Sequence, residues 1–373
     1  MNVVLIIGAF DFGITAMVGA VLQFVPRSGL SSPSIAFGVR IPPDLNDDPV
    51  ILRQRRRYGG TLLVITSVVS LLAGLAGALL DSAAPVGVGV AVLCFAAAAL
   101  WARAHRAVSQ AKDAGNWYGD LRQGVVTDTS LRTSPVRFPW WWTIPSALII
   151  AVTALAGVVV YPDLPVTLNL PRYSLGETGY LEYPTTVWSA FGLVFGQVLL
   201  TVLTAGMVVL VLRARPELDP ARPRESAARY RDYLGGTARA ILGIATLLDL
   251  MLSGLSAAIW SGNRSGWLLV TIVGVPVAAS LAVAAHLVLR VGGGRRRVSM
   301  ADAEAPTGFV RRDDDRHAMA AGLFYVNADD PAVLVPSRVG GGWTVNLGNP
   351  RFLAGVAATL AAAGVAAGIL ALL

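Results

Sequence analysis

The chain has 373 residues, of which 54% are hydrophobic and only 14% charged, with a formal net charge of +7, a pI near 10 and a mean hydropathy of +0.61. Apolar runs of this length and purity exclude a soluble multidomain enzyme and predict several bilayer-crossing helices. The basic excess would suit nucleic acid, but in a chain this apolar it is first a matter of topology, so no nucleic-acid partner is expected and the lipid bilayer is the primary one.

Crossing ~30 Å of hydrocarbon takes about 20 mostly apolar residues. Eight windows qualify, at roughly 2–25, 60–80, 86–102, 141–161, 188–212, 240–260, 267–289 and 352–373. The third is short and the eighth ends the chain, so seven or eight spans fit the pattern. The first, MNVVLIIGAFDFG, has no basic leader and carries Asp11, which reads as a retained span rather than a cleaved signal. The lone cysteine, Cys94, falls in the third window, so no intramolecular disulfide is available.

Charge placement tests the span count. With the N-terminus outside, segments 26–59, 103–140, 213–239 and 290–351 share one side and hold 28 of the 30 Lys and Arg residues, leaving Arg172 and Arg264 opposite. Omitting one span would invert every later loop, so the positive-inside rule supports both termini outside and four cytoplasmic segments. The expected fold class is all-α: a polytopic helical membrane protein of about eight transmembrane helices in the bacterial plasma membrane. A small cytoplasmic ordered element, with short strands around Val339–Gly342, is expected within 322–350. The organisation follows as 1–140 (three spans), 141–213 (the fourth and fifth spans around outer loop 161–187), 214–290 (a cytoplasmic loop and the next two spans), 291–351 (a cytoplasmic segment) and 352–373 (the last span).

Within these units, 214–237 is Arg- and Pro-rich and reads as a loop leading into a short helix, and 291–318 as a flexible segment of mixed charge. Gly192/Gly196 and Gly364/Gly368 have the spacing of close helix contacts. Asp47-Asp48-Pro49 and Asp329-Asp330-Pro331 repeat one phrase at two membrane borders. Asp before Pro suits a helix start, so Pro49–Tyr58 reads as a basic juxtamembrane helix. In the second copy Pro336 favours a turn. The plainer reading is two border caps; the sharper places both copies in one cytoplasmic platform.

No catalytic signature emerges, so the chain is expected not to be an enzyme and to need no cofactor. His105, His286 and His317 stand without Cys or carboxylate at metal-ligand spacing, and no metal is expected. Charged groups inside spans cost ~3 kcal/mol or more unless paired, which singles out Asp249 and Asp11, with Gln197 as a polar companion. The outer loop, with Tyr173, Glu177, Tyr180, Glu182 and Tyr183, suits either an extracellular peptide or protein contact or an ordinary solvated hairpin.

The stretches FGVRIPPD (Phe37–Asp44), Asp47-Asp48-Pro49 with RQRRRY (Arg53–Tyr58), GLFYVNADDP (Gly322–Pro331) and GWTVNLGNP (Gly342–Pro350) resemble a cytoplasmic module of bacterial multi-pass membrane proteins of the domain-of-unknown-function 1648 and 5808 type. The resemblance implies that Asp47, Asp48, Pro49, Asp329, Asp330, Pro331, Trp343, Asn346 and Asn349 belong to one platform. Tyr161–Asn169 (YPDLPVTLN) is similar to a motif of another membrane domain that also occurs in Sdp-type toxin immunity proteins, which combine self-protection with signalling to a repressor. It draws attention to Pro165, Thr167 and Asn169, but Thr167 stands where those proteins commonly carry His, so no role of that His carries over. The likeness implies an immunity or signalling role with an extracellular factor or a cytoplasmic regulator. The alternative from the residues is a secondary transporter or channel-like protein using Asp249 and Asp11.

Overall fold

The computed structural model describes residues 3–26, 34–80, 82, 84–125, 133–174, 177–263, 265–292, 305–340 and 342–357. Among the described residues, seven helices are long and apolar enough to cross a membrane: α1 (Val3–Phe24), α2 (Pro49–Leu80), α3 (Ala84–Ala114), α4 (Ile144–Val160), α5 (Val187–Leu212), α6 (Pro223–Trp260) and α7 (Gly266–Gly292). α4 is short, but turns at Trp140–Thr143 and Tyr161–Asp163 extend its apolar span to Trp140–Asp163. Of the eighth window, helical backbone resumes at 350 and is described only to 357, so that expectation lies largely outside the described residues, as does the Gly364/Gly368 pair.

Three helices overshoot the hydrocarbon. At 1.5 Å per residue, α2 (32 residues), α3 (31) and α6 (38) are about 47 to 57 Å long. Their apolar portions end in turns of Arg, Gln, Lys and Ala, residues with high helix propensity that let the helix continue beyond the apolar layer. The expected basic helix at Pro49–Tyr58 is therefore the first part of α2 itself. At 214–237 the expected loop is present up to Arg222, and the helix expected to follow it is corrected from a short one to the first part of α6, which starts at Pro223. The proline is harmless because it stands in the first helical turn, and Glu225 pairs with Arg222 and Arg229 one turn to either side.

The helices form two groups. α1, α2 and α3 pack on one another, and α4 to α7 on one another; among the described residues, the extensive helix–helix contacts all lie within one group or the other. Their outward faces expose large apolar side chains such as Leu71 (65%) and Val64 (63%), a surface suited to hydrocarbon. Close approach in the first group uses glycine: a Cβ on Gly74 would stand 2.9 Å from the Gly8 carbonyl oxygen. Gly192 and Gly196, by contrast, face open space, so their spacing marks no helix contact.

The described residues also contain five two-stranded sheets, more than the all-α expectation allowed. β1 (Ile35–Ala36) and β2 (Val39–Arg40) form a tight hairpin, as do β7 (Ala318–Met319) with β8 (Phe324–Tyr325) and β9 (Leu334–Pro336) with β10 (Trp343–Val345). β9 and β10 flank the glycine run, as expected. β3 (Gln123–Gly124) runs parallel to β6 (Val310–Arg311). β4 (Thr167–Ser174) and β5 (Glu177–Pro184) make an eight-residue hairpin between α4 and α5, at the end opposite the basic segments. The flexibility expected for 291–318 does not hold over 305–318, which carries β6 and a turn at Asp315–His317; residues 293–304 lie outside the described set.

The largest buried apolar cluster sits where the β1–β2 hairpin meets the basic halves of α2 and α3: Phe37, Val39 and Ile41 against Ile51, Tyr58, Leu62, Trp101 and Val108. Phe37 and Gly38 form the hairpin's two-residue turn, both at positive φ (48° and 79°), as a primed hairpin turn requires. That conformation is unfavourable for a phenylalanine. Packing of its ring at 5.2 Å from Trp101 and 5.9 Å from Tyr58 offsets the cost.

Candidate functional site

All four basic segments contribute to one polar platform at the same end of the two helical groups. Residues 34–48 enter from the first group, 112–125 end and follow α3, 213–222 follow α5, and 305–350 follow α7. Backbone bonds tie them: Val310 N–H donates to Arg122 O (2.9 Å), Arg215 N–H to Leu334 O (3.0 Å) and Thr307 N–H to Ala221 O (3.1 Å).

The hairpins meet at their turns. Gly38 and Gly322, both at positive φ, approach so closely that a Cβ on Gly322 would lie 2.8 Å from Gly38 Cα. Trp101 Nε1 donates to Ala321 O (2.9 Å), and His105 Nδ1 donates to Phe37 O (2.8 Å). One aromatic and one imidazole from α3 thus hold the two turns together.

Beneath them lies an ion-pair network that pairs residues up to 274 positions apart. Arg40 pairs with Glu217 and Asp314, each at 2.6 Å, and its backbone N–H donates to Asp315 (3.0 Å). Lys112 pairs with Asp313 (2.6 Å) and Asp315, Arg311 with Glu217 (3.6 Å), and Arg338 with Asp314 and Asp315. Arg338 Nη1 also donates to Gly38 O (3.2 Å). Side-chain exposures of 5% to 8% at the Arg338, Arg40 and Lys112 cations take these charges largely out of water. Burial pushes the Glu217 carboxyl up, but Arg40 and Arg311 overcome it and hold it down at about 2. Burial likewise opposes ionisation of Asp315, yet Arg338 and Lys112 hold it below the usual carboxylate range. Desolvation works against the Arg40 cation too, and Glu217 with Asp314 keeps it firmly protonated.

The second Asp-Asp-Pro copy serves a different purpose from the first. Asp48 Oδ1 accepts the Val50 N–H (2.8 Å) and starts α2 at Pro49, as expected of a cap, while Asp47 is exposed. Asp330 is buried, pairs with Arg215 and accepts the Tyr325 hydroxyl (3.2 Å), while Asp329 and Pro331 are exposed in a turn. The helix start in the second block falls to Asn349, whose Oδ1 accepts Arg351 N–H (2.9 Å) ahead of the helical residues from 350, and whose Nδ2 donates to Asp330 O (3.1 Å). Asn346 is fully buried: Nδ2 donates to Asn327 O (2.8 Å) and Oδ1 accepts Asn327 N–H (3.0 Å), closing the module. Trp343 stacks on Tyr233 of α6, with centroids 5.0 Å apart. The two blocks thus lie in one folded region, but no hydrogen bond or ion pair joins Asp47 or Asp48 to Asp329 or Asp330 among the described residues.

A cleft of about 720 Å³ opens over the network, walled by Arg213, Arg215, Tyr230, Arg312, Arg316 and Tyr325, with Arg40, Glu217 and Asp314 also lining it. Sequence reasoning missed this network and cleft. Its one local signal was the Asp313–Asp315 run between arginines, which reads equally well as a solvated tail.

The intramembrane candidates form two separate sites. Asp249 is fully buried in α6; Oδ2 accepts Thr201 Oγ1 (2.9 Å) and its main-chain oxygen accepts Gln197 Nε2 (2.8 Å), while Oδ1 and Gln197 Oε1 have no hydrogen-bond partner among the described residues. Ser146–Thr246 (3.0 Å) and Thr153–Ser253 (2.8 Å) extend a polar seam between α4 and α6. Asp11 is buried in the other helical group, with both carboxylate oxygens lacking a hydrogen-bond partner among the described residues, against Gly77, where a Cβ would overlap it. The structure therefore joins Gln197 to Asp249 but not Asp11 to either.

At the opposite end, Pro165 and Thr167 are exposed; Thr167 pairs with Pro184 and Asn169 with Glu182 in the β4–β5 hairpin, while Leu168 between them is buried. Among the described residues no group of three or more His, Cys, Asp or Glu is gathered as a metal ion would need.

No curated protein and no solved structure matches the chain. Residues 328–352 match the Family of unknown function (DUF5808), the stretch that holds Asp329, Asp330, Pro331, Trp343, Asn346 and Asn349, so the likeness of the C-terminal block of the platform to that family is supported at the level of the family itself.

Proposed function

We propose that this chain is a non-enzymatic, multi-pass protein of the bacterial plasma membrane that acts in immunity or signal transduction, linking an extracellular factor at the β4–β5 hairpin to a cytoplasmic regulator at the platform. One observation carries the reading: two helical groups with little direct contact are joined by a buried ion-pair network whose members come from both groups and from the tail after α7. A joint of that kind transmits relative movement of the groups to the surface that a regulator would touch.

The test is a chromosomal Arg338→Ala variant held at wild-type abundance. A signalling protein loses a discrete transcriptional response, the same one lost on deletion of the gene, while membrane insertion is unchanged. An unaltered transcript profile in the variant beside an altered one in the deletion strain refutes the platform as the output.

Two buried oxygens without a hydrogen-bond partner among the described residues, Asp249 Oδ1 and Gln197 Oε1, on residues joined by the Gln197 Nε2 bond to the Asp249 main chain, favour a second reading, an ion- or proton-coupled transporter. Flux in proteoliposomes that is abolished by Asp249→Asn, with the transcriptional response intact, would replace the first reading with this one.

A further inference from the structure

The ion-pair network is stoichiometrically neutral. Four cations, Arg40, Lys112, Arg311 and Arg338, face four carboxylates, Glu217, Asp313, Asp314 and Asp315, and Arg215 is matched by Asp330. The remaining arginines on the cleft wall, Arg213, Arg312 and Arg316, are exposed, and none has a carboxylate within ion-pair distance among the described residues. Arg316 Nε donates to His317 Nε2 (2.9 Å), an imidazole and not a carboxylate, so no anion matches its charge there. Fixed carboxylates below and three unmatched guanidiniums above give the cleft a positive rim on a rigid, balanced floor.

The position of the cleft is as informative as its charge. Arg213 is the first residue after α5, and Pro135 and Val136 on the cleft wall run into the exposed Trp140 and Trp141 that open the fourth span. Tryptophans of that kind sit at headgroup depth, so the cleft opens at the membrane border. Its volume of about 720 Å³ exceeds what a bare phosphate needs and falls within the range of sites that hold a phosphate together with an attached organic group.

From this geometry we propose that the cleft is a binding site for a phosphate-bearing anion, held by Arg213, Arg312 and Arg316. Guanidinium forks match phosphate oxygens in pairs, and basic pockets on the cytoplasmic side of membrane helices are suited to anionic lipid headgroups. A soluble phosphorylated metabolite offers the same chemistry. The rim arginines come from the α5 end and from the tail, and the floor includes Arg40 of the first helical group. A bound anion therefore bridges the α5 end and the tail, over a floor that includes Arg40 of the first helical group.

The test uses the full chain in a neutral detergent, titrated separately with inorganic pyrophosphate, dioctanoyl phosphatidylglycerol and dioctanoyl phosphatidylcholine, with binding read by native mass spectrometry. The triple variant Arg213→Ala, Arg312→Ala, Arg316→Ala is compared with a control that removes three exposed arginines elsewhere, Arg53→Ala, Arg103→Ala and Arg106→Ala. Saturable binding of pyrophosphate or phosphatidylglycerol, weakened at least 10-fold in the cleft variant and less than 2-fold in the control, supports the site. Pyrophosphate binding assigns it to a soluble ligand, and phosphatidylglycerol binding without pyrophosphate assigns it to a lipid headgroup. Three results overturn the proposal: no saturable binding of either anion, equal binding of phosphatidylcholine, or equal loss in the two variants.

Discussion

Replacing Arg40 by methionine keeps an apolar stem of similar length and removes one of the two cations, with Lys112, that pair the first helical group with the rest of the platform, and the only one of the two that reaches Glu217. Asp314 retains Arg338, and Asp315 retains Lys112 and Arg338. Glu217 is left with Arg311 at 3.6 Å, a weak replacement for a 2.6 Å contact. Removing one member of a buried pair typically costs 3–5 kcal/mol, because the surviving charge is stranded. With Glu217 as the stranded group, local opening of the platform is expected to become easier by about 3 kcal/mol, or roughly 100-fold in population. Hydrogen exchange in detergent at neutral pH measures this: amides of 34–41 and 310–317 should exchange about two orders of magnitude faster, while those in the middle of α2 and α5 keep their wild-type rates. Since global unfolding of a multi-part membrane protein is not two-state, the local readout is the relevant one. A change of less than 5-fold at 34–41 and 310–317 would refute the view that the network joins the groups.

Three other outcomes are expected. Because the Glu217 pKa is depressed from an ordinary 4.5 to about 2, the contribution of this group to stability is complete above pH 4.5 and fades as pH falls toward about 2; at 1.36 kcal/mol per unit it is on the order of 3 kcal/mol. Intrinsic-rate-corrected exchange at 310–317 should rise across that window, and Glu217→Gln should flatten the dependence. Gly322→Ala places a Cβ 2.8 Å from Gly38 Cα at φ +85° and should destabilise the contact between hairpin turns by about 2–4 kcal/mol, read as loss of protection at Ala321 and Gly322. Asn346→Ala leaves Asn327 N–H and Gly348 N–H without their acceptor and should cost about 3 kcal/mol or more, read as faster limited proteolysis between 327 and 348 with α5 to α7 intact.

The spans were readable from the sequence because hydropathy is local: the windows for α1, α4, α5 and α7 lie within a few residues of the observed helices. The lengths of α2, α3 and α6 were not, since polarity marks where lipid ends and not where a helix ends. In the Arg-rich stretch after Pro223 a short helix was expected, and helix propensity with the Glu225–Arg229 pair carries it without a break into the span. Asp48, Asn346, Asn349 and Trp343 were found through their motifs. Arg40, Lys112, Glu217 and Arg338 were not, because each is an ordinary surface-type residue until tertiary contact places it beside partners dozens to hundreds of residues away. Asp249 and Asp11 were found by the same cost argument but belong to different helical groups, and helix composition does not reveal which group a helix joins.

The three long helices determine how the platform can act. Because α2, α3 and α6 continue without a break from the apolar layer into the platform, Arg40, Lys112 and Tyr233 are carried on or directly beside rigid rods rather than on flexible tethers. A few degrees of tilt between the two groups therefore displaces the ends of those rods, and the ion pairs between them, by ångströms. Driving a two-state element from 1:99 to 99:1 takes about 5.5 kcal/mol. One stranded carboxylate in this network is worth about 3–5 kcal/mol. Making or breaking one or two of these buried pairs thus supplies a free energy of the size a switch requires, while the continuous backbone of each helix keeps that energy from dissipating in loop motion.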